Sequence, residues 1–355
     1  MSLTSIFYFI FIDVAYVKKA LDAHKQGINR RRLNEVRVIG VTCAACSFPL
    51  LKNLTFQVHL LDECSQMIEP LSLVPIARFH CERLILVGDP NQLSPTIQGS
   101  ESLHSNGLEL TMFERLQKAD LEVVQLRRQY RCHPSISHIC SRAFYKGALT
   151  DGVTAEERHP LVEFLPPVLF VDIANGVETT ATDGSLYNVK EVDYCVKLVN
   201  KLLSEGLEPS QIGVITQYKA QVLRIVNKLT DSVSSSSSGE KSAEALPTSM
   251  LRGIQVSTVD AFQGAEKDVV ILSCVRTKFV GFINCPRRAN VALSRAKHHL
   301  VMVGCHRLLR SDTLWFRILQ LAEEGEARFE RGQNALVGAA TVNIGNGDDK
   351  EFALS

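Results

Sequence analysis

Short apolar runs that break off at polar or charged residues constrain this chain more than anything else in it. Residues 56–61 (FQVHLL) end in Asp62 and Glu63, and residues 83–87 (RLILV) end in Gly88, Asp89, Pro90, Asn91 and Gln92. A buried strand has no use for carboxylates in its interior, but in an open α/β sheet the carboxyl ends of the strands are where ligands sit. Between the two runs, residues 69–78 (EPLSLVPIAR) read as a short helix with Pro70 in its first turn, where a missing N–H is tolerated. Strand, polar switch, helix and strand in that order is the rhythm of a parallel, doubly wound sheet, so the expected fold class is α/β.

The rest of the chain repeats the rhythm. Residues 36–41 (VRVIGV) alternate and predict a strand feeding a loop, and residues 18–32, polar and basic, predict a helix and its exit. Further strands are predicted at 169–173, 212–216, 254–258, 269–275 and 300–303. A helix over 135–144 ends near Gly147, a suitable C-cap. Residues 188–203 put Val189, Val192, Val196, Val199 and Leu203 on one helical face, and these are expected to be core. The serine run at 234–238 predicts a flexible surface loop, and the polar, Gly-rich tail from about residue 338 predicts disorder. Residues 5–12 (SIFYFIFI) are strongly apolar but too short to span a bilayer, and no basic region precedes them. They read as a buried strand, a poor signal sequence, or residues from outside the true coding sequence.

At 355 residues the chain has room for two domains and a sizeable core. A net charge of +1 excludes a globally basic nucleic-acid coat and leaves open a locally basic cleft. The basic clusters are Arg30 to Arg32, Arg127 and Arg128 with Arg131, and Arg287 and Arg288 with Arg295 and Lys297. Ten cysteines without a spacing rhythm, several inside apolar runs, fit reduced and mostly buried thiols in an intracellular protein. Cys43 and Cys46 form a lone CxxC, for which two small core-facing thiols are a simpler account than a metal half-site.

The residues at the strand ends share one chemistry. Asp62 with Glu63 suits Mg²⁺ and phosphate, one acid holding the metal and the next polarising a water; a strand running out into a polar turn is the plainer alternative. Gln92 offers an amide that reaches both a γ-phosphate and an attacking water. Arg131 and Arg295, each in a polar turn beside an apolar element, carry guanidinium groups that fit phosphate bidentately; taken singly, each also reads as a surface charge. Glu266, in the run from Gln263 to Asp268, sits in a turn between two strands and also reads as a solvated loop acid.

Five segments occur in order: LLDECSQ, ILVGDPNQLSPTI, LRRQYRCHPSIS, VSTVDAFQGAEKDVVILSCVR and NVALSRAKHHLVMVG. They resemble motifs II to VI of superfamily 1 helicases, in the Up-frameshift-type branch, which is characteristically 5′→3′. TCAAC, DECSQ and FYKGALTDGVT look most like the members that carry a GRF-type zinc finger. The resemblance covers about residues 36–309 and implies two RecA-like domains, with ATP and Mg²⁺ bound between them. It divides the chain into an atypical segment at 1–35, a partial first domain at 36–124, a second domain at 125–330 and a tail at 331–355.

The resemblance also implies roles. Asp62 would hold Mg²⁺, Glu63 would be the general base, and Gln92 would couple the γ-phosphate to the nucleic-acid cleft. Arg131 and Arg295 would be arginine fingers. Tyr130 would stack on the nucleotide base with Gln129 in the same nucleotide-binding set, Glu266 would contact ribose, and Gln263 and Gly264 would shape that turn. Thr42, Tyr218, Thr258 and Asp260 match positions near the backbone of a single-stranded nucleic acid, with DNA favoured over RNA. The expected setting is intracellular, the nucleus first, with no membrane role.

Two departures stand out. The chain contains no G-x-x-x-x-G-K-[ST] loop, whose backbone amides and lysine would cradle the β- and γ-phosphates. It also lacks the zinc finger; Ser294 and Lys297 are conservative changes in the last motif. The expectation is the C-terminal portion of a helicase motor, inactive as an isolated chain, with a non-catalytic nucleic-acid- or partner-binding short form as the alternative.

Overall fold

The computed structural model describes residues 27–28, 31–33, 35–97, 107–119, 121–234 and 253–332. The apolar segment at 5–12, most of the predicted 18–32 helix, the serine run beyond residue 234 and the tail beyond residue 332 lie outside the described residues. The chain divides into two compact units, Met1–Pro90 with Ser94–Val123, and Asn91–Leu93 with Val124–Ser355.

In the first unit, β1 (Val58–Leu61) and β2 (Arg83–Leu86) pair in parallel with Val58 opposite Arg83 and Leu61 opposite Leu86. Helix α1 (Glu69–Arg78) connects them, opened by a proline in its first turn as the sequence predicts. β1 buries His59 and Leu61 on one side and exposes Val58 and Leu60 on the other. A second helix, α2 (Met112–Lys118), is capped by Thr111, whose hydroxyl accepts the Glu114 N–H, and tied to α1 by the Arg115–Glu69 ion pair at 2.6 Å. Residues 36–41 are not a strand, contrary to the alternation. Among the described residues no neighbouring strand pairs with them, and Val38 is 88% exposed.

The second unit is built on a six-stranded parallel sheet. Its chain order runs β3 (Arg128–Gln129), β4 (Thr150–Asp151), β5 (Val168–Asp172), β6 (Glu178–Thr180), β7 (Leu186–Asn188), β8 (Ile212–Thr216), β9 (Gln255–Thr258), β10 (Lys267–Ser273), β11 (Ala296–Gly304) and β12 (Arg328–Arg331). The large sheet has the order β12-β5-β11-β10-β8-β9; β3 with β4 and β6 with β7 form small separate pairs.

A parallel sheet is covered on both faces, so its strands read as unbroken apolar runs, and the alternation becomes visible only in space. Val168, Phe170, Val270, Leu272, Leu300 and Met302 point into one core, which helices α3 (Pro134–Phe144), α6 (Pro286–Leu293) and α8 (Thr313–Glu324) close. Leu169, Val171, Val269, Ile271, Val301 and Val303 point into the other, closed by α4 (Val189–Ser204) and α5 (Lys219–Ser234). Helix α7 (His306–Arg310) precedes α8. The stripe on α4 behaves as predicted from Val192 onward, but Val189, at the first helical position, is 48% exposed. Its N-cap is Asn188, whose side-chain oxygen accepts from the N–H groups of Lys190 and Glu191. No described helix is long and apolar enough to cross a membrane.

Candidate functional site

In the first unit, both acids that end β1 are exposed. Oδ1 of Asp62 accepts the Glu63 N–H at 3.0 Å, and Oε2 of Glu63 accepts from the Gln66 amide at 2.6 Å. Glu63 has φ +52°, a left-handed conformation that a non-glycine residue adopts against a strain of about 1–2 kcal/mol. The turn is fixed from below. Cys64 donates its N–H to the Val87 carbonyl at 2.9 Å, and the Asp89 N–H donates to Oγ of Ser65 at 3.0 Å. Burial, with the two acids adding to it, pushes the Cys64 thiol up to about 11, so it stays protonated. Two exposed carboxylates at a strand end fit Mg²⁺, which takes one or two carboxylates and completes its shell with waters and substrate phosphates.

In the second unit, a charged cluster gathers at the amino ends of β10 and β11. Arg131 donates through Nε to Oε2 of Glu266 at 2.7 Å, and Lys297 reaches Oε1 of the same carboxylate at 3.0 Å. Arg131 and then Lys297 hold the Glu266 carboxyl below its usual range. Arg295 is not a surface charge: it is 3% exposed. Its guanidinium donates to the Val291 carbonyl at 3.0 Å, the Ser294 hydroxyl at 3.1 Å and Oε1 of Gln92 at 3.4 Å. Asn91 to Leu93 pack with this unit, and Asn290 donates to the Asn91 carbonyl at 2.9 Å. The two arginines are brought together by backbone pairing. The His133 N–H donates to the Lys297 carbonyl at 2.7 Å, and Arg131 donates through Nη1 to the Ser294 carbonyl at 3.2 Å.

Gln129 works within its own turn. Its Oε1 accepts the N–H groups of Arg131 and Cys132, while its Nε2 donates to Asp151 at 2.7 Å and to the Cys132 carbonyl at 2.9 Å. With two bonds on each end of the amide it positions Arg131. Tyr130 is 60% exposed and lies against Gly152, where an added Cβ would fall 2.3 Å from the ring. Arg158, which the sequence did not single out, donates to the backbone carbonyls of both Tyr130 and Arg131 at 2.8 Å. Nothing in its local sequence marks it, because the contact is purely tertiary.

The run from Val259 to Glu266 crosses from the carboxyl end of β9 to the amino end of β10. Asp260 stands at one end of this crossover and Glu266 at the other. Phe262 anchors it at 0% exposure, and Gly264 turns it with φ +74°. Nε2 of Gln263 is buried without a hydrogen-bond partner, an omission that costs about 1–3 kcal/mol unless something else accepts from it.

At the carboxyl edge, Thr258 is half-buried and the exposed Asp260 accepts from Nη2 of Arg288 at 3.2 Å. Tyr218 is 6% exposed, and its hydroxyl accepts from Nη1 of Arg276 at 3.5 Å. Thr42, in the first unit, is exposed and its hydroxyl accepts the Ala45 N–H at 3.2 Å.

Beyond β10 the chain bends sharply at Val275. This residue has φ +68°, and the Arg276 N–H reaches back to the Cys274 carbonyl at 2.8 Å, a γ-turn of the rare, strained kind. A buried network holds it. Oε2 of Glu191 accepts the Val275 N–H at 2.9 Å and the Ser273 hydroxyl at 2.7 Å, and Asn188 donates to the Val275 carbonyl at 3.3 Å. Burial pushes the Glu191 carboxyl up to about 7 against the Ser273 hydroxyl and the Val275 N–H.

A family model described as an AAA domain matches residues 108–307, and a second of the same description matches residues 13–100. The chain is 50% identical to the 5′-3′ DNA helicase ZGRF1 of Mus musculus over 89% of its own length and 16% of that protein. It is 37% identical to the regulator of nonsense transcripts 1 homolog of Neurospora crassa, over 82% of this chain and 26% of that one. Against the homolog of the same name from Arabidopsis thaliana it is 36% identical over 88% of this chain and 25% of that one. The chain thus spans only a small part, 16% to 26%, of the length of these three relatives.

Proposed function

Because this chain belongs to the AAA-domain helicases of superfamily 1, in the Up-frameshift-type branch, we propose that it forms the C-terminal portion of an ATP-dependent motor. That motor moves 5′→3′ along a single strand and unwinds duplexes. The observation that carries the proposal is the meeting of Gln92 with the buried Arg295 beside the Arg131–Glu266–Lys297 cluster. It assembles in one unit the cations and the amide that phosphoryl transfer needs.

Asp62 would hold Mg²⁺. Mg²⁺ held there would supply positive charge against the phosphates of ATP. Glu63 orients and deprotonates the attacking water, and Gln92 positions that water while contacting the γ-phosphate. Arg131 and Arg295 stabilise the charge that develops as the bond to the leaving phosphate breaks, with little covalent work for the protein to do. Tyr130 stacks on the base, and Glu266 reaches the ribose. Inchworm stepping follows when ATP binding and hydrolysis alternately close and reopen the nucleotide cleft.

Thr42, Thr258 and Asp260 serve the strand backbone, contacts that carry no base information. DNA is the favoured strand, supported by the name of the ZGRF1 relative, and the nucleus and a role in DNA repair are part of the same proposal. The test is strand displacement by a protein in which these residues follow a phosphate-binding loop, on matched 5′- and 3′-tailed DNA and RNA duplexes. Unwinding of the 5′-tailed DNA substrate is expected. Unwinding confined to 3′-tailed duplexes refutes the polarity, and equal action on RNA refutes the preference.

A further inference from the structure

We propose that Phe279 and Phe282 form a base-stacking platform for single-stranded nucleic acid, on the loop that leaves the carboxyl end of β10. The proposal rests on the motor reading above and adds contacts to bases where that reading has contacts to backbone only.

The loop is fastened at both ends. At its start stands the strained γ-turn at Val275, clamped by Glu191 and Asn188. Arg276 then pairs through Nε with Oε2 of Glu178 at 3.1 Å, and the Thr277 N–H donates to the same oxygen at 2.7 Å. Towards its end Ile283 is 1% exposed, and its carbonyl accepts the indole N–H of Trp315 at 2.8 Å. Between these anchors Phe279 is 73% exposed and Phe282 is 68% exposed. Single exposed apolar residues are ordinary. Two phenylalanines three positions apart, held outward by a backbone anchored on either side, are a different matter. Strain of the Val275 kind gathers where function requires a fixed presentation.

The surroundings select the occupant. No Asp or Glu stands between Asp268 and Asp312 in the sequence. The exposed Lys278 adjoins Phe279, and Arg287 and Arg288 open the helix that follows. Arg288 reaches Asp260, at the edge assigned above to the strand backbone. Rings interleaved with cations are the composition of single-strand surfaces, where the backbone is drawn by charge and bases stack on aromatic faces whatever their identity. A protein-docking core shares the aromatics and arginine but is depleted of lysine, which Lys278 supplies here beside Phe279.

The test measures fluorescence anisotropy of the 355-residue chain with a labelled oligothymidylate and with an abasic strand of equal length. The wild type is expected to prefer thymidylate by roughly tenfold or more, the range that stacking of one or two bases gives. Phe279→Ala with Phe282→Ala should erase that preference and bring thymidylate down to the abasic affinity, with an unchanged thermal midpoint. Tryptophan at both positions should restore it. A double-alanine variant that keeps the base preference overturns the platform and leaves the motor reading standing; a protein ligand at this patch would give that result. A wild type that binds neither strand overturns both.

Discussion

Oε1 of Gln92 accepts from Nη2 of Arg295 at 3.4 Å across 203 positions of sequence. The contact joins the turn after one strand to the start of another, and it keeps a buried guanidinium aimed at the place where a polar amide waits. Replacing the amide by a carboxylate converts this contact into an ion pair that competes with phosphate for Arg295. Gln92→Glu is therefore expected to lower kcat for ATP hydrolysis by about 10²-fold or more with a small change in KM, read by steady-state kinetics in a protein that also carries the phosphate-binding loop.

Glu266 is shared by Arg131 and Lys297 and is half-exposed, so its value to stability is small, under about 1 kcal/mol. Its value to the site is orientation. Glu266→Ala should leave the chemical-denaturation midpoint nearly unchanged while weakening nucleotide affinity several-fold, which titration calorimetry would register. Equal affinity in the variant would remove Glu266 from the ribose site.

The Glu191 carboxyl titrates near 7 in the fold against an ordinary value of 4.5. A raised acid pKa means that the folded state holds its proton more tightly than the unfolded one. Stability through this group is therefore fullest below about pH 4.5, falls as pH rises towards 7, and stays reduced above it. The groups facing Glu191 are Asn188, Ser273 and the Val275 amide, with Cys195 and Cys274 nearby, so no cation offsets the burial. Denaturant unfolding at pH 5 and pH 8 should differ by up to the order of 3 kcal/mol more in the wild type than in Glu191→Gln. A pH dependence that survives the substitution would assign it elsewhere.

The chain of 355 residues contains no G-x-x-x-x-G-K-[ST] loop. Alone, it is expected to hydrolyse ATP no faster than its own Glu63→Gln variant, with or without single strands present. Single-strand-stimulated turnover that vanishes in Glu63→Gln would show that these residues suffice.

Five strands of the large sheet, β5 and β8 to β11, were legible, chiefly because burial on both faces leaves a continuous apolar run; β12 was not, since Arg328–Arg331 is a polar run. Alternation misleads at residues 36–41, which pair with no strand among the described residues. Helical spacing likewise places Val189 in the core one turn too early. The β6–β7 hairpin had a signal that the reading passed over: Asp183-Gly184, with Gly184 at φ +79°, is a turn pair between two strand-like runs. The burial of Arg295 had no local signal, since its contact with Gln92 comes from 203 positions away. The γ-turn at Val275 was hidden more deeply. Locally the residue continues an apolar run, and the force that bends it comes from Glu191, 84 positions away.

Arg131 and Arg295, as the groups that stabilise phosphoryl transfer, are the centre of the proposed mechanism. The most direct measurement is single-strand-stimulated ATP hydrolysis by a protein in which these residues follow a phosphate-binding loop, comparing wild type with Arg131→Ala and Arg295→Ala. Each substitution is predicted to lower kcat by about 10³-fold or more while single-strand affinity without nucleotide stays unchanged. A kcat within about threefold of wild type in either variant, in a range that ordinary surface substitutions produce, would contradict it.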